Sequence, residues 1–90
     1  MKKIESVVAL QAGATAQSVM INGLSFLVQN NSEGAVYFKE KRADGIAATA
    51  SNGYKLAAGA ETPILMTAME LSIAAESDNS DVRVLIIDEY

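Results

Sequence analysis

Short apolar runs with a period of two dominate the chain, and polar turn residues separate them. β-branched and aromatic residues concentrate in those runs, as a pleated, half-buried surface favours. Residues 4–10, containing Val7 and Val8, predict a strand, followed by a turn centred on Gly13. Residues 15–21 predict a weaker strand with Val19 and Ile21 on one face. Asn22-Gly23 is the strongest tight-turn dipeptide of the chain and leads into a strand over 24–29. Residues 30–34 are rich in types that tolerate positive φ and predict a second turn. In the next strand, 35–41, Val36 and Phe38 alternate with Tyr37 and Lys39.

The middle of the chain differs. Residues 42–53 carry Asp44-Gly45, four alanines and Asn52-Gly53. The pattern predicts a long loop, with a short helix over 45–51 as the alternative. Such loops are often functional or mobile, and small side chains bury little area to offset their conformational entropy. A mobile loop that orders on a partner is therefore expected. Three short strands follow, over 54–56, 62–67 and 69–76. Pro63 has no amide hydrogen and belongs at a strand start or edge. Leu71, Ile73 and Ala75 share one face. A turn over 77–81 precedes the last strand, 82–87.

Seven or eight strands with turn signals every 8–12 residues or so predict a single all-β domain over residues 1–90, an antiparallel sandwich or small barrel. No 3.6-residue apolar period is sustained, so helix should stay below about 10%. An ordered series of matches also points to two pseudo-repeated halves. Leu10 to Ala14 recurs as Leu56 to Ala60, Leu24-Ser25-Phe26 as Leu71-Ser72-Ile73, and Val36-Tyr37-Phe38 as Val82-Arg83-Val84. The expectation is that Leu24, Phe26, Val36 and Phe38 occupy places equivalent to Leu71, Ile73, Val82 and Val84, all in one core.

Two runs break the alternation. Phe26-Leu27-Val28 and Val84-Leu85-Ile86-Ile87 are apolar on both faces. In an antiparallel sheet one face usually meets water, so a doubly apolar strand needs cover on both sides. That cover comes either from the long loop and chain termini or from a neighbouring subunit. The second choice predicts a homo-oligomer with Leu27 and Leu85 in its interface and Tyr37, Tyr54 and Ile46 as further contacts.

Composition narrows the chemistry. Ninety residues that are half hydrophobic are too apolar for a disordered chain and give a small core. No cysteine is present, so no disulfide supports the fold, which suits a reducing compartment. A net charge of −4 argues against a nucleic-acid surface. The apolar stretch near Met1-Lys2-Lys3 is too short for a secretion signal, and no run reaches the roughly 18 residues of a membrane helix. A soluble protein with no nucleic-acid or membrane partner is expected.

Histidine is absent as well. Ser-His-Asp and Cys-His nucleophile systems are therefore excluded, together with the usual ligands of zinc and of a metal-dependent cupin. The carboxylates are scattered at strand ends, and residues 78–81 lack the full pattern of a calcium loop. No catalytic residue, cofactor or metal is expected.

The layout resembles a known group. The segments are Ser25-Phe26-Leu27-Val28-Gln29-Asn30, Val36-Tyr37-Phe38, the Gly53 to Gly59 segment with Leu56 at its centre, and Val82-Arg83-Val84-Leu85-Ile86. Together they resemble the small β-sandwich virion proteins of tailed bacteriophages, of the capsid decoration and head-fibre base type. The resemblance covers roughly residues 20–88. It implies a non-enzymatic structural role on a virion assembled in the host cytoplasm, often as a homo-oligomer such as a trimer, with a capsid or other virion protein as partner. It brings no catalytic residues. A second hypothesis is a soluble carbohydrate-binding module, which needs Tyr37 or Tyr54 open beside a polar groove.

Overall fold

The apolar positions of the predicted runs become the facing inner sides of two four-stranded antiparallel sheets. The computed structural model describes residues 1–90. It contains β1 (Lys2–Ala12), β2 (Gln17–Met20), β3 (Ser25–Asn30), β4 (Val36–Glu40), β5 (Tyr54–Leu56), β6 (Met66–Thr67), β7 (Glu70–Ala75) and β8 (Ser80–Glu89), and no helix. Sheet A has the order β1-β8-β3-β6 and sheet B the order β2-β7-β4-β5. This double-sheet arrangement of eight strands is a jelly roll. Phe26, Val28, Val82, Val84 and Ile86 of sheet A face Val36, Phe38, Leu56, Leu71 and Ile73 of sheet B across one core. Phe26 and Phe38 meet edge to face, with ring centroids 6.3 Å apart.

Consecutive strands change sheets except at β4–β5, so the tight turns make corners rather than hairpins. Asn22 and Gly23 both take positive φ, 59° and 81°. That is the backbone of the turn this dipeptide favours. Yet β2 lies in sheet B and β3 in sheet A. The neighbouring corner holds this one, since Ile21 and Asn22 donate their amides to the Met69 carbonyl and Gly23 donates to that of Ala68.

The run over 62–67 pairs less than its composition predicts. Only Met66 and Thr67 form β6. Pro63 cannot donate to the ladder, and the chain leaves β3 there. Thr62 keeps its own place: its amide donates to the Val28 carbonyl at 3.0 Å, and its hydroxyl accepts from the Val28 amide at 3.1 Å.

The two halves share one topology. Matching β1–β4 with β5–β8 turns the order of sheet A into that of sheet B read backwards, β5-β4-β7-β2. The residue matches need one correction. Phe26 pairs with Ile86, and Ile73 pairs with Phe38. With Phe26 placed on Ile73, Phe38 corresponds to Ile86 and Val36 to Val84, two residues beyond the sequence match. A slip of two is one pleat repeat, so every side chain keeps its face. Seven of the eight matched residues lie in the core cluster, and Leu24 packs against it.

Residues 42–53 form no helix. The loop lies over the outside of sheet B, where buried Ala48 donates its amide to Ser72 Oγ at 2.9 Å. Asn52 braces it, accepting from the Thr49 amide and donating to the Ala47 carbonyl. The loop returns against β4 at Gly53, where a Cβ would lie 3.1 Å from both the Phe38 nitrogen and Tyr37 Cβ. So the loop covers sheet B, and not the doubly apolar strands β3 and β8.

Candidate interaction surface

Cross-strand register builds the outer face of sheet A from three strands. Val7 pairs with Leu85, and Leu85 pairs with Leu27. One rung along, Ile4 pairs with Ile87, which pairs with Ser25. Leu27 and Leu85 are half-buried, as is Ile87, while Ile4 is 59% and Val7 52% exposed. The result is one apolar stripe with no segment of this chain over it. Exposed ion pairs fringe it: Lys2 with Glu89 and Arg83 with Asp81, each at 3.7 Å. In water such pairs contribute little to stability. Continuous apolar surface of this kind is a common mark of a docking site.

Ile4 and Val7 are the members that sequence reasoning missed. Strict alternation puts residues three apart on opposite faces. A β-bulge between Ile4 and Ser6 shifts the register and returns Ile4 to the outer face with Val7. No period in the sequence signals that bulge.

The other expected contact residues do not join the stripe. Tyr37 is half-buried on the outside of sheet B, beside a recess of about 330 Å³ that Thr49 and Ala50 of the loop help to line. Ile46 is exposed in the loop, and its carbonyl accepts from Lys39 Nζ at 3.0 Å. Tyr54 lies on β5 with its ring 5.2 Å from that of Phe38 and half its surface exposed. It borders a cleft of about 250 Å³ where the sheets part between β5 and β6. Phe26, Phe38, Met66, Ala68 and Leu71 line that cleft, with Lys39 and Glu40 at its rim. The five residues thus occupy both sheets and one edge: Leu27 and Leu85 share the outer face of sheet A, Tyr37 and Ile46 lie on the outside of sheet B, and Tyr54 stands at the cleft.

At one end of the sandwich the turns 31–34 and 76–81 enclose a polar recess of about 520 Å³. Its acids are Glu33, Glu76, Asp78 and Asp81. No three of the chain's carboxylates converge as a metal-binding group would, and every buried polar side-chain atom has a hydrogen-bond partner. No helix is long and apolar enough to cross a membrane. No protein family, curated protein or solved structure matches the chain.

Proposed function

We propose that this protein is a non-enzymatic structural component of a particle, seating the outer face of sheet A on a repeating protein lattice. The observation that carries this reading is the Ile4–Val7–Leu27–Leu85–Ile87 stripe, left bare while the long loop is spent on the other sheet. Taking a leucine-sized side chain from full exposure to full burial contributes about 1.5–3 kcal/mol; half-buried Leu27 and Leu85 supply a fraction of that each, and the more exposed Ile4 and Val7 supply more. Copies joined to one another engage a repeating lattice at several sites at once, so a modest single contact is enough. The resemblance of the layout to capsid decoration and head-associated proteins of tailed phages makes a virion the particle of choice. Jelly rolls also serve as lectins and cupins, so the fold alone does not choose among these roles.

The carbohydrate-binding alternative has one supporting feature, Tyr54 beside the Lys39–Glu40 rim of the cleft. Tyr37 lies on the outer face of the same sheet and Tyr54 on the inner side, so the two rings do not form one platform. The test is sedimentation of particles from the source culture, followed by quantitative mass spectrometry. The chain should band with the particles in fixed stoichiometry, and the double variant Leu27→Lys/Leu85→Lys should stay behind in the soluble fraction. A wild-type chain that never bands with particles, or one retained by immobilised glycans through Tyr54, refutes the assignment.

A further inference from the structure

We infer that two copies of this chain pair edge to edge through β1, joining their A sheets into one continuous eight-stranded sheet about a two-fold axis at Ala9. This inference concerns self-association and is independent of what covers the outer face of sheet A.

A sheet edge presents unpaired amides and carbonyls and is a template for another strand. Four strands are edges here, β1, β6, β2 and β5. Three are short: β6 has two residues, β5 three and β2 four. β6 is further protected by the break at Pro63, and β5 carries Lys55. β1 is eleven residues long. Its first half has the usual protections, namely Lys2, Lys3 and Glu5 and the bulge between Ile4 and Ser6. Its second half, Ser6-Val7-Val8-Ala9-Leu10-Gln11-Ala12, has none: no charge, no proline and no glycine. Segments of that composition are strongly disposed to pair.

The geometry of the edge defines the register. The Gln11 carbonyl accepts a bond from the Gln17 side chain at 2.8 Å and so points away from β8. Strand alternation turns the backbone groups of Ala9 and Val7 to the same open side. A two-fold axis at Ala9 then sets Ala9 against its own copy, Val7 against Gln11, Val8 against Leu10 and Ser6 against Ala12. The uncharged stretch pairs over its whole length, with the Gln11 carbonyl accepting from the partner's Val7 amide through its second lone pair beside the Gln17 side chain or in its place. Lys2, Lys3 and Glu5 fall outside it, so no like charges oppose each other. Outer-face residues meet outer-face residues, and core-facing Val8 meets core-facing Leu10. Both of these are only partly buried against the rim of the core, and the partner strand would cover them. Ala9, at the axis, is small enough for two strands to approach.

The pairing predicts a two-fold dimer, where the phage resemblance by itself favours a trimer. Light scattering of the purified full-length chain should give twice the monomer mass. Ala9→Pro removes an outward amide, which β8 does not use, and should weaken the dimer about 100-fold, the loss expected from a few hydrogen bonds. Its circular dichroism should stay that of the wild type. Ala9→Lys and Ala9→Glu should each be monomeric alone, and mixing them should restore a dimer, because the axis places the two substituted residues together. Leu85→Lys should remain dimeric. A monomeric wild type, a dimeric Ala9→Pro, no recovery on mixing, or a dimer lost in Leu85→Lys but kept in Ala9→Pro would each overturn the inference.

Discussion

Asn30 shows how much one side chain decides here. It is fully buried. Its amide group donates to the carbonyls of Gly34, Leu56 and Ala57 at 2.8, 3.0 and 3.1 Å, and its oxygen accepts from the Ser32 amide and hydroxyl. One residue thus ties the β3–β4 corner to the end of β5. Asn30→Ala leaves several buried groups without partners, each costing about 1–3 kcal/mol. We expect a loss of about 3 kcal/mol, read as a lower urea midpoint with an unchanged slope. Gly53 is a second such site, since a methyl group there meets backbone on β4 and Thr49 of its own loop. Gly53→Ala should cost about 1–3 kcal/mol through local overpacking, measured in the same way. The strand ending at Asn30 and the turn after it are legible in the sequence. Its burial is not, because two of its acceptors, Leu56 and Ala57, lie 26 and 27 residues away.

At the scale of elements, the strands were legible wherever one face is core and the other carries polar or amphipathic side chains. Val36-Tyr37-Phe38 is the clear case, with Tyr37 outward between two buried neighbours. Run 62–67 pairs as a strand only at Met66 and Thr67, because composition does not show that Pro63 lies where the ladder must break. The long loop was expected to bury little, but Ala48 anchors it. Amide exchange should therefore be uneven: slow at Ala48, whose amide is buried and bonded to Ser72, and fast at Ala43, Asp44 and Ala47. Uniformly fast exchange across 42–53 would show that the anchor does not hold. On β8, Leu85→Lys should leave the strand intact, since Leu85 is only half-buried on the outer face. We expect a thermal midpoint within a few degrees of the wild type by circular dichroism, together with less binding of a hydrophobic dye. A collapse of the midpoint would mean that Leu85 belongs to the core.

At the scale of the molecule, the halves are similar but interlocked. β8 bridges β1 and β3, and β7 bridges β2 and β4. Neither half contains its own sheets, so a fragment of residues 1–45 should be unfolded by circular dichroism and bind no second copy of itself. Nearly all of the fold's pairings join distant parts of the chain, which makes folding slow. Stopped-flow refolding of the intact chain should take milliseconds to seconds. A submillisecond phase recovering the full signal would show that local hairpins suffice.

The sequence by itself determined that the protein is all-β, roughly where its strands lie, which side of most of them is buried, and that Leu27 and Leu85 sit on a second apolar face. These features follow from period two and turn chemistry, which act over a few residues. Only the tertiary structure decided which strands are neighbours, that the loop covers sheet B rather than sheet A, and that Ile4 and Val7 extend the stripe. It also decided that β1 is the long edge left open. Each of these depends on pairings between residues tens of positions apart and on a bulge that shifts a register by one, and no local pattern encodes either.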